Sequence, residues 1–223
     1  MAMIFEGLTV ERVRANMLEV EAEVEAACER AGRPPASVEV VAAVKYVGPG
    51  ELGVLEAAGI RHAGENRAQA LVEKQQLAPS LDWHFIGHVQ SRKVKQIVPR
   101  VSLIHAVSSD SVLEQLARHA PEQFPILVEV NVSGEEGKSG IAPHELEPFL
   151  GRCRSVAGAD VRGLMTMPPL AADPEASRPW FRELAALARR HGLEHLSMGT
   201  TQDFVVAVEE GATFVRIGTR LYA

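Results

Sequence analysis

The sequence predicts an α/β fold, a single (β/α)8 TIM-type barrel preceded by one extra helix. Eight short apolar runs recur along the 223 residues, and amphipathic stretches separate neighbouring runs. Strict alternation of strand and helix implies a parallel sheet. Several runs are continuously apolar, as strands covered on both faces are. Eight such units fit the length, since these barrels occupy ~200 to ~250 residues.

The first thirty residues read as a helix, because Val13, Met17, Val20, Val24 and Ala27 recur at spacings of four and three among Glu and Arg. Gly32, Pro34 and Pro35 stop it, so residues 1–33 form a helix that packs on the barrel. The apolar runs follow at 38–47, 61–64, 83–87, 103–107, 125–132, 161–167, 196–199 and 213–217. Candidate helices between them include 109–118, 143–152 and 175–190, and Pro99, Pro121, Gly192 and Gly211 fall where helices should end. No linker, charge block or low-complexity tract divides the chain, so residues 1–223 are expected to form one domain.

Lys and Arg number 23 and Asp and Glu 29, for a net charge of −6. An acidic surface argues against nucleic acid or an anionic membrane as the main partner, but leaves room for a local phosphate pocket. No run of eighteen apolar residues suggests a membrane span, and the N-terminus lacks the basic-then-apolar pattern of a signal peptide. Cys28 and Cys153 stand far apart without metal-ligand spacing, as reduced, buried thiols of a cytoplasmic protein do. With no evident apolar patch, a monomer is expected.

In such a barrel the chemistry gathers at the C-terminal ends of the strands. Here those ends carry Lys45, then Glu65 and Asn66, His88, Ser108, Asn131, Thr166, Met198 and Gly199, and finally Arg216, Gly218 and Thr219. Lys45 follows Val40-Val41-Ala42-Ala43-Val44. A lysine there either snorkels to water or is a desolvated amine whose lowered pKa makes it a nucleophile toward a carbonyl. Arg216 stands inside Phe214-Val215-Arg216-Ile217, aimed into the barrel mouth or tied in an ion pair, with Glu65 as candidate partner. Gly199-Thr200-Thr201 and Gly218-Thr219 follow the seventh and eighth runs, where many barrels hold a phosphate. An aldehyde-seeking lysine, a phosphate cradle and an inward arginine together suggest pyridoxal 5′-phosphate (PLP). An arginine facing the pyridine nitrogen leaves the ring a poor electron sink.

Longer matches then identify a family. Gly64-Glu65-Asn66-Arg67, 83–91, 130–136, Lys138-Ser139-Gly140, 163–169 and 215–219 make the chain resemble the YggS/PROSC family of pyridoxal phosphate homeostasis proteins, in order and over nearly its whole length. The resemblance implies a barrel like the alanine racemase N-terminal domain, with Lys45 holding PLP as a Schiff base. It also implies Arg216 near the pyridine nitrogen, Thr201, Gly218 and Thr219 near the phosphate, and Asn66 and Met198 as further lining residues. Family members are described as binding PLP without clear catalysis, in vitamin B6 and amino-acid homeostasis, which makes apo PLP enzymes the partners to consider. Two departures stand out: Thr200-Thr201 replaces the usual Met-Ser, and Val44 replaces the usual Ser or Thr before the lysine.

Other patterns carry less. Gly48-Pro49-Gly50-Glu51-Leu52-Gly53 fits a dinucleotide fingerprint in letters. Its first glycine nonetheless lies beyond Tyr46 and Val47, and Pro49 has no N–H for a phosphate. His84 and His88 lack a third metal ligand, so no metal site is expected. Glu135, Glu136 and Lys138 read as a solvated loop tip, and Trp83, Phe85, Trp180 and Phe181 as packing. Three functions therefore stand: a PLP holder without efficient catalysis, a PLP-dependent amino-acid racemase with Lys45 as base, and a Schiff-base aldolase without PLP. The racemase needs a second acid or base opposite Lys45; Tyr46 is expected to point away, and the chain closes at Ala223 after the eighth run. The aldolase leaves Arg216 without a task.

Overall fold

Eight parallel strands close on themselves in chain order, β1 pairing with both β2 and β8. The computed structural model describes residues 5–223, so the first four residues of the expected N-terminal segment lie outside it. The strands are β1 (Glu39–Ala43), β2 (His62–Glu65), β3 (Asp82–Phe85), β4 (Leu103–Val107), β5 (Pro125–Glu129), β6 (Asp160–Met165), β7 (His195–Thr200) and β8 (Phe214–Ile217). All eight expected runs are strands, although the first, third, fifth and sixth leave the ladder earlier than apolarity suggests.

The helices are α1 (Val10–Arg30), α2 (Leu52–Ala58), α3 (Ala68–Leu77), α4 (Val94–Ile97), α5 (Asp110–His119), α6 (Leu146–Arg154), α7 (Arg178–His191), α8 (Phe204–Glu209) and α9 (Thr219–Tyr222). Thr9 caps α1 by accepting the Arg12 N–H at 3.3 Å. The buried stripe Val13, Val20, Val24 and Ala27 packs α1 toward α2, α8 and α9. Gly192, left-handed at φ 66°, ends α7 as expected. No helix is long and apolar enough to cross a membrane among the described residues.

The main core lies between barrel wall and helices, where Val44, Phe85, Ile104, Val128, Met198, Val215 and Ile217 are buried. A second cluster fills the barrel itself: Val41, Leu103, Leu127, Met165 and Phe214. Period two along each strand sorts side chains between these regions. On β8, Phe214 and Arg216 face the lumen while Val215 and Ile217 face the helices. Lumens of this fold are usually filled with branched aliphatics. Here His84, His105, Ser197 and Arg216, all buried, share the interior.

Candidate functional site

The C-terminal mouth of the barrel encloses a cavity of about 720 Å³. Of the seven residues expected at the site, Lys45, Asn66, Thr201, Arg216, Gly218 and Thr219 border it. Met198 does not. Because Ser197 faces the lumen, period two sends Met198 outward, where it is fully buried against the helices. Three cations, Lys45, Lys138 and Arg216, line the cavity against one carboxylate, Glu129, in a chain whose net charge is −6.

Lys45 differs from its sequence reading in one respect. β1 ends at Ala43, so Lys45 sits in the following turn and is exposed at the mouth rather than desolvated in the sheet. The turn also undoes the expectation for Tyr46, which lines the cavity with its ring centroid 4.6 Å from the Lys45 Nζ. Three successive carbonyls hold this turn in place. Val44 O accepts from Lys74 Nζ at 2.6 Å, Lys45 O from the Arg67 guanidinium at 3.2 Å, and Tyr46 O from Phe5 N–H at 2.8 Å. Lys74 in turn pairs with Glu65 Oε2 at 2.7 Å, both side chains being buried. The same carboxylate accepts the Asn66 and Arg67 N–H groups at 2.8 and 3.1 Å. Glu65 thus faces α3, outside the lumen, and is not the partner of Arg216.

After β7 and β8, Gly218 N–H donates to Thr201 Oγ1 at 3.0 Å, leaving the Thr201 hydroxyl hydrogen free to donate. Thr200 is spent locally, its N–H and hydroxyl both directed to Asp203 Oδ1 at 2.7 and 3.2 Å. The N–H groups of Thr201, Gln202 and Thr219 meet no protein acceptor among the described residues. A Cβ at Gly199 would stand 2.5 Å from the Ala207 Cβ, and its φ of +88° favours glycine, so that residue lets β7 turn into this loop. The result is a nest of N–H and O–H donors bordering the same cavity as Lys45, suited to a phosphate.

Arg216 lies at the cavity floor, 4% exposed. Its guanidinium donates to Ser197 Oγ, to Thr166 O at 3.0 Å and toward Met167 Sδ at 2.8 Å. Burial lowers its pKa to about 10, while Asp203 and Glu129 work against that fall. It therefore remains a cation at neutral pH. From Ser197 a chain of contacts descends the lumen: Ser197 Oγ to His105 Nδ1 at 2.7 Å, His105 Nε2 to His84 Nδ1 at 2.9 Å, and His84 Nε2 to Asp82 Oδ2 at 3.4 Å. Burial holds the His105 imidazole well below its usual pKa, with His84, Arg216 and His195 adding to the effect, so the ring is neutral. Hydrogen bonds from His62 and His84 hold the Asp82 carboxyl well below the ordinary carboxylate range. An arginine only donates and a carboxylate only accepts. With one hydrogen on each ring, the chain runs one way, Arg216 to Ser197 to His105 to His84 to Asp82, and each ring hydrogen sits on Nε2.

Sequence reasoning missed Lys74, Ser197 and His105. Period two counted back from Arg216 and across to the seventh run was the available signal for Ser197. His88 borders the cavity while His84 lies deeper in the lumen, so the two are not neighbours in function. The glycine-rich 48–53 stretch does not border the cavity; Glu51 there accepts the N–H groups of Gly7 and Leu8. Lys138 bonds Glu135 at 2.9 Å and lines the cavity with Ser139, whose hydroxyl donates to Glu129 at 2.6 Å.

The profile of the family described as "Alanine racemase, N-terminal domain" matches residues 16–223. A pyridoxal phosphate homeostasis protein of Aquifex aeolicus is 40% identical over 89% of this chain and 92% of its own. One of Pseudomonas aeruginosa is 36% identical over 94% of each. Among solved structures, PipY of Synechococcus elongatus with PLP bound superposes with a TM-score of 0.79 at 29% identity, over 95% of this chain and 100% of that one.

Proposed function

Because the chain belongs to the YggS/PROSC family of pyridoxal phosphate homeostasis proteins, we propose that it binds PLP as a Schiff base on Lys45 and acts in intracellular PLP and amino-acid homeostasis. One observation carries this reading: a primary amine, a nest of N–H and O–H donors, and a donor-only arginine converge on one cavity. Its volume suits a small phosphorylated ring. Asn66 Oδ1, buried without a partner, adds an acceptor at the lining.

When bound, PLP supplies an aldehyde that a primary amine captures and a ring that withdraws electrons. Lys45 contributes the amine. Thr201, Gly218 and Thr219, with the free backbone N–H groups, hold the phosphate. Arg216, still protonated at neutral pH, would offer the ring nitrogen only donors. That nitrogen would then stay unprotonated, which disfavours chemistry that needs a long-lived carbanion. Exposure of Lys45 at the mouth leaves the cofactor within reach of an acceptor, for which apo PLP enzymes are the partners of choice. We further read residues 1–223 as one monomeric PLP-binding domain of the cytoplasm, in keeping with two buried, free cysteines.

Tyr46 beside the Lys45 amine favours a second reading, a PLP-dependent racemase with Lys45 as one base. Tyr222 gives that reading no help, since burial pushes its phenol above the usual range. Titrating cofactor-free protein with PLP tests the Lys45 reading, and α-carbon exchange then separates holder from racemase. A yellow imine band that Lys45→Ala abolishes supports the holder, and a wild type that takes up no PLP, or a variant that keeps the band, overturns it. Deuterium exchange at the α-carbon of amino acids at turnover rates would instead establish the racemase.

A further inference from the structure

At the opposite end of the barrel, β2 opens on His62 and β3 on Asp82, which are paired in register, with His84 two residues further on the same face. Asp82 Oδ2 is 3.1 Å from His62 Nδ1 and 3.4 Å from His84 Nε2, and the three donor atoms lie within 4.8 Å of one another. Ligands at ~2.0–2.1 Å around a tetrahedral ion stand about 3.3 Å apart, so two of the three separations already match.

The second nitrogen of each imidazole is also held. His62 Nε2 is 3.3 Å from Glu39 Oε2, and His84 Nδ1 is 2.9 Å from His105 Nε2. Metal-binding histidines are oriented in this way, one nitrogen toward the ion and the other engaged by a carboxylate or another polar group. His84 closes the site from the buried side, while Asp82 and His62 reach solvent and leave an entry path. Along the chain His88 is the histidine nearest His84; the fold instead brings His62 from the neighbouring strand.

We infer that His62, Asp82 and His84 form a binding site for a divalent transition-metal ion of the zinc class, with water completing the coordination. Two imidazoles and one carboxylate select zinc, cobalt, nickel or copper over magnesium and calcium, which favour oxygen ligands. The site is separate from the cavity that holds Lys45, yet it is joined to it. An ion on His84 Nε2 requires that ring to carry its hydrogen on Nδ1, facing His105. His105 must then move its own hydrogen to Nδ1, and Ser197 Oγ accepts from both His105 and Arg216. No proton is gained or lost overall, because each ring keeps one. Metal binding thus reverses the hydrogen-bond chain between His84 and Ser197, while Arg216 goes on donating to Ser197.

Cofactor-free, metal-free, untagged protein is titrated with Zn²⁺ by calorimetry and with Co²⁺ by visible absorption. One equivalent is expected to bind, with four- or five-coordinate cobalt bands. His62→Ala and Asp82→Asn should each weaken binding at least tenfold, and His119→Ala, on α5, should leave it unchanged. Imidazole ¹⁵N spectra should show His84 and His105 passing from Nε2–H to Nδ1–H as zinc is added. Absence of stoichiometric binding, or binding that survives both site variants, overturns the site; unaltered His105 resonances in the zinc-loaded protein overturn the reversal. PLP uptake by the same preparations is scored separately, so loss of this site and failure of the cofactor reading are distinguishable.

Discussion

Replacing Lys74 by Met isolates the ion pair that anchors the Lys45 turn. Lys74 Nζ lies 2.7 Å from Glu65 Oε2 and 2.6 Å from Val44 O, and the two charged side chains are 4% and 0% exposed. Met fills nearly the same volume but leaves Glu65 as a buried charge without its cation, a change that costs ~3–5 kcal/mol. At about 2–4 °C per kcal/mol for a chain of this size, the melting temperature should fall by about 6–20 °C. Val44 O is left with the Val47 N–H at 2.9 Å as its donor and no longer ties the turn to α3, so PLP affinity should drop with stability. Adding Glu65→Gln keeps an acceptor for the Asn66 and Arg67 N–H groups while removing the stranded charge, and should recover more than half the loss. Urea and thermal unfolding of the cofactor-free single and double variants read both effects. A Lys74→Met loss below about 1 kcal/mol, the level of an exposed pair, would refute the reasoning.

Further outcomes follow from the same structure. Asp82 has a folded pKa below its unfolded value of about 3.9, so its carboxylate stabilises the fold above that pH and the contribution fades as pH falls through the folded value. The Asp82 side chain is 43% exposed, so solvent screening trims that contribution, and Asp82→Asn should lose ~0.5–1 kcal/mol in urea unfolding near neutral pH, with the gap to wild type closing below about pH 4. Ser197→Ala removes one of the acceptors of Arg216 and the donor to His105, and should cost ~1–3 kcal/mol in urea unfolding. The same variant should weaken PLP binding about tenfold in an absorbance titration, near 1.4 kcal/mol. A Cβ at Gly163 would stand 1.9 Å from His195 O, so Gly163→Ala should lower the melting temperature or the soluble yield sharply. Exposed Gly151 within α6 has open space around it, and Gly151→Ala should instead gain ~0.5–1 kcal/mol in the same unfolding assay.

The barrel is readable from rhythm because each strand is apolar and each intervening helix amphipathic, and both properties are local. Lys45 and Arg216 stand out for a related reason: a charge in an apolar run is visible without knowing its neighbours. What local pattern cannot give is register. Ser197 and His105 lie 92 positions apart, and only closure of the barrel brings them to 2.7 Å. The same limit hid Lys74, which looks like an ordinary helix lysine until α3 packs its amine onto Glu65 and Val44. Met198 and Tyr46 differ from expectation because of strand ends. Met198 lies at a strand end but on the helix side of the wall, and Tyr46 lies past Ala43, where the ladder and its alternation stop.

Borohydride reduction of PLP-loaded protein, followed by digestion and peptide mass mapping, tests the cofactor reading most directly. The reduced cofactor is predicted on the single peptide that contains Lys45, and on none in the Lys45→Ala variant. Label on Lys74, Lys138 or another lysine in the wild type, or no stable label at all, would contradict it.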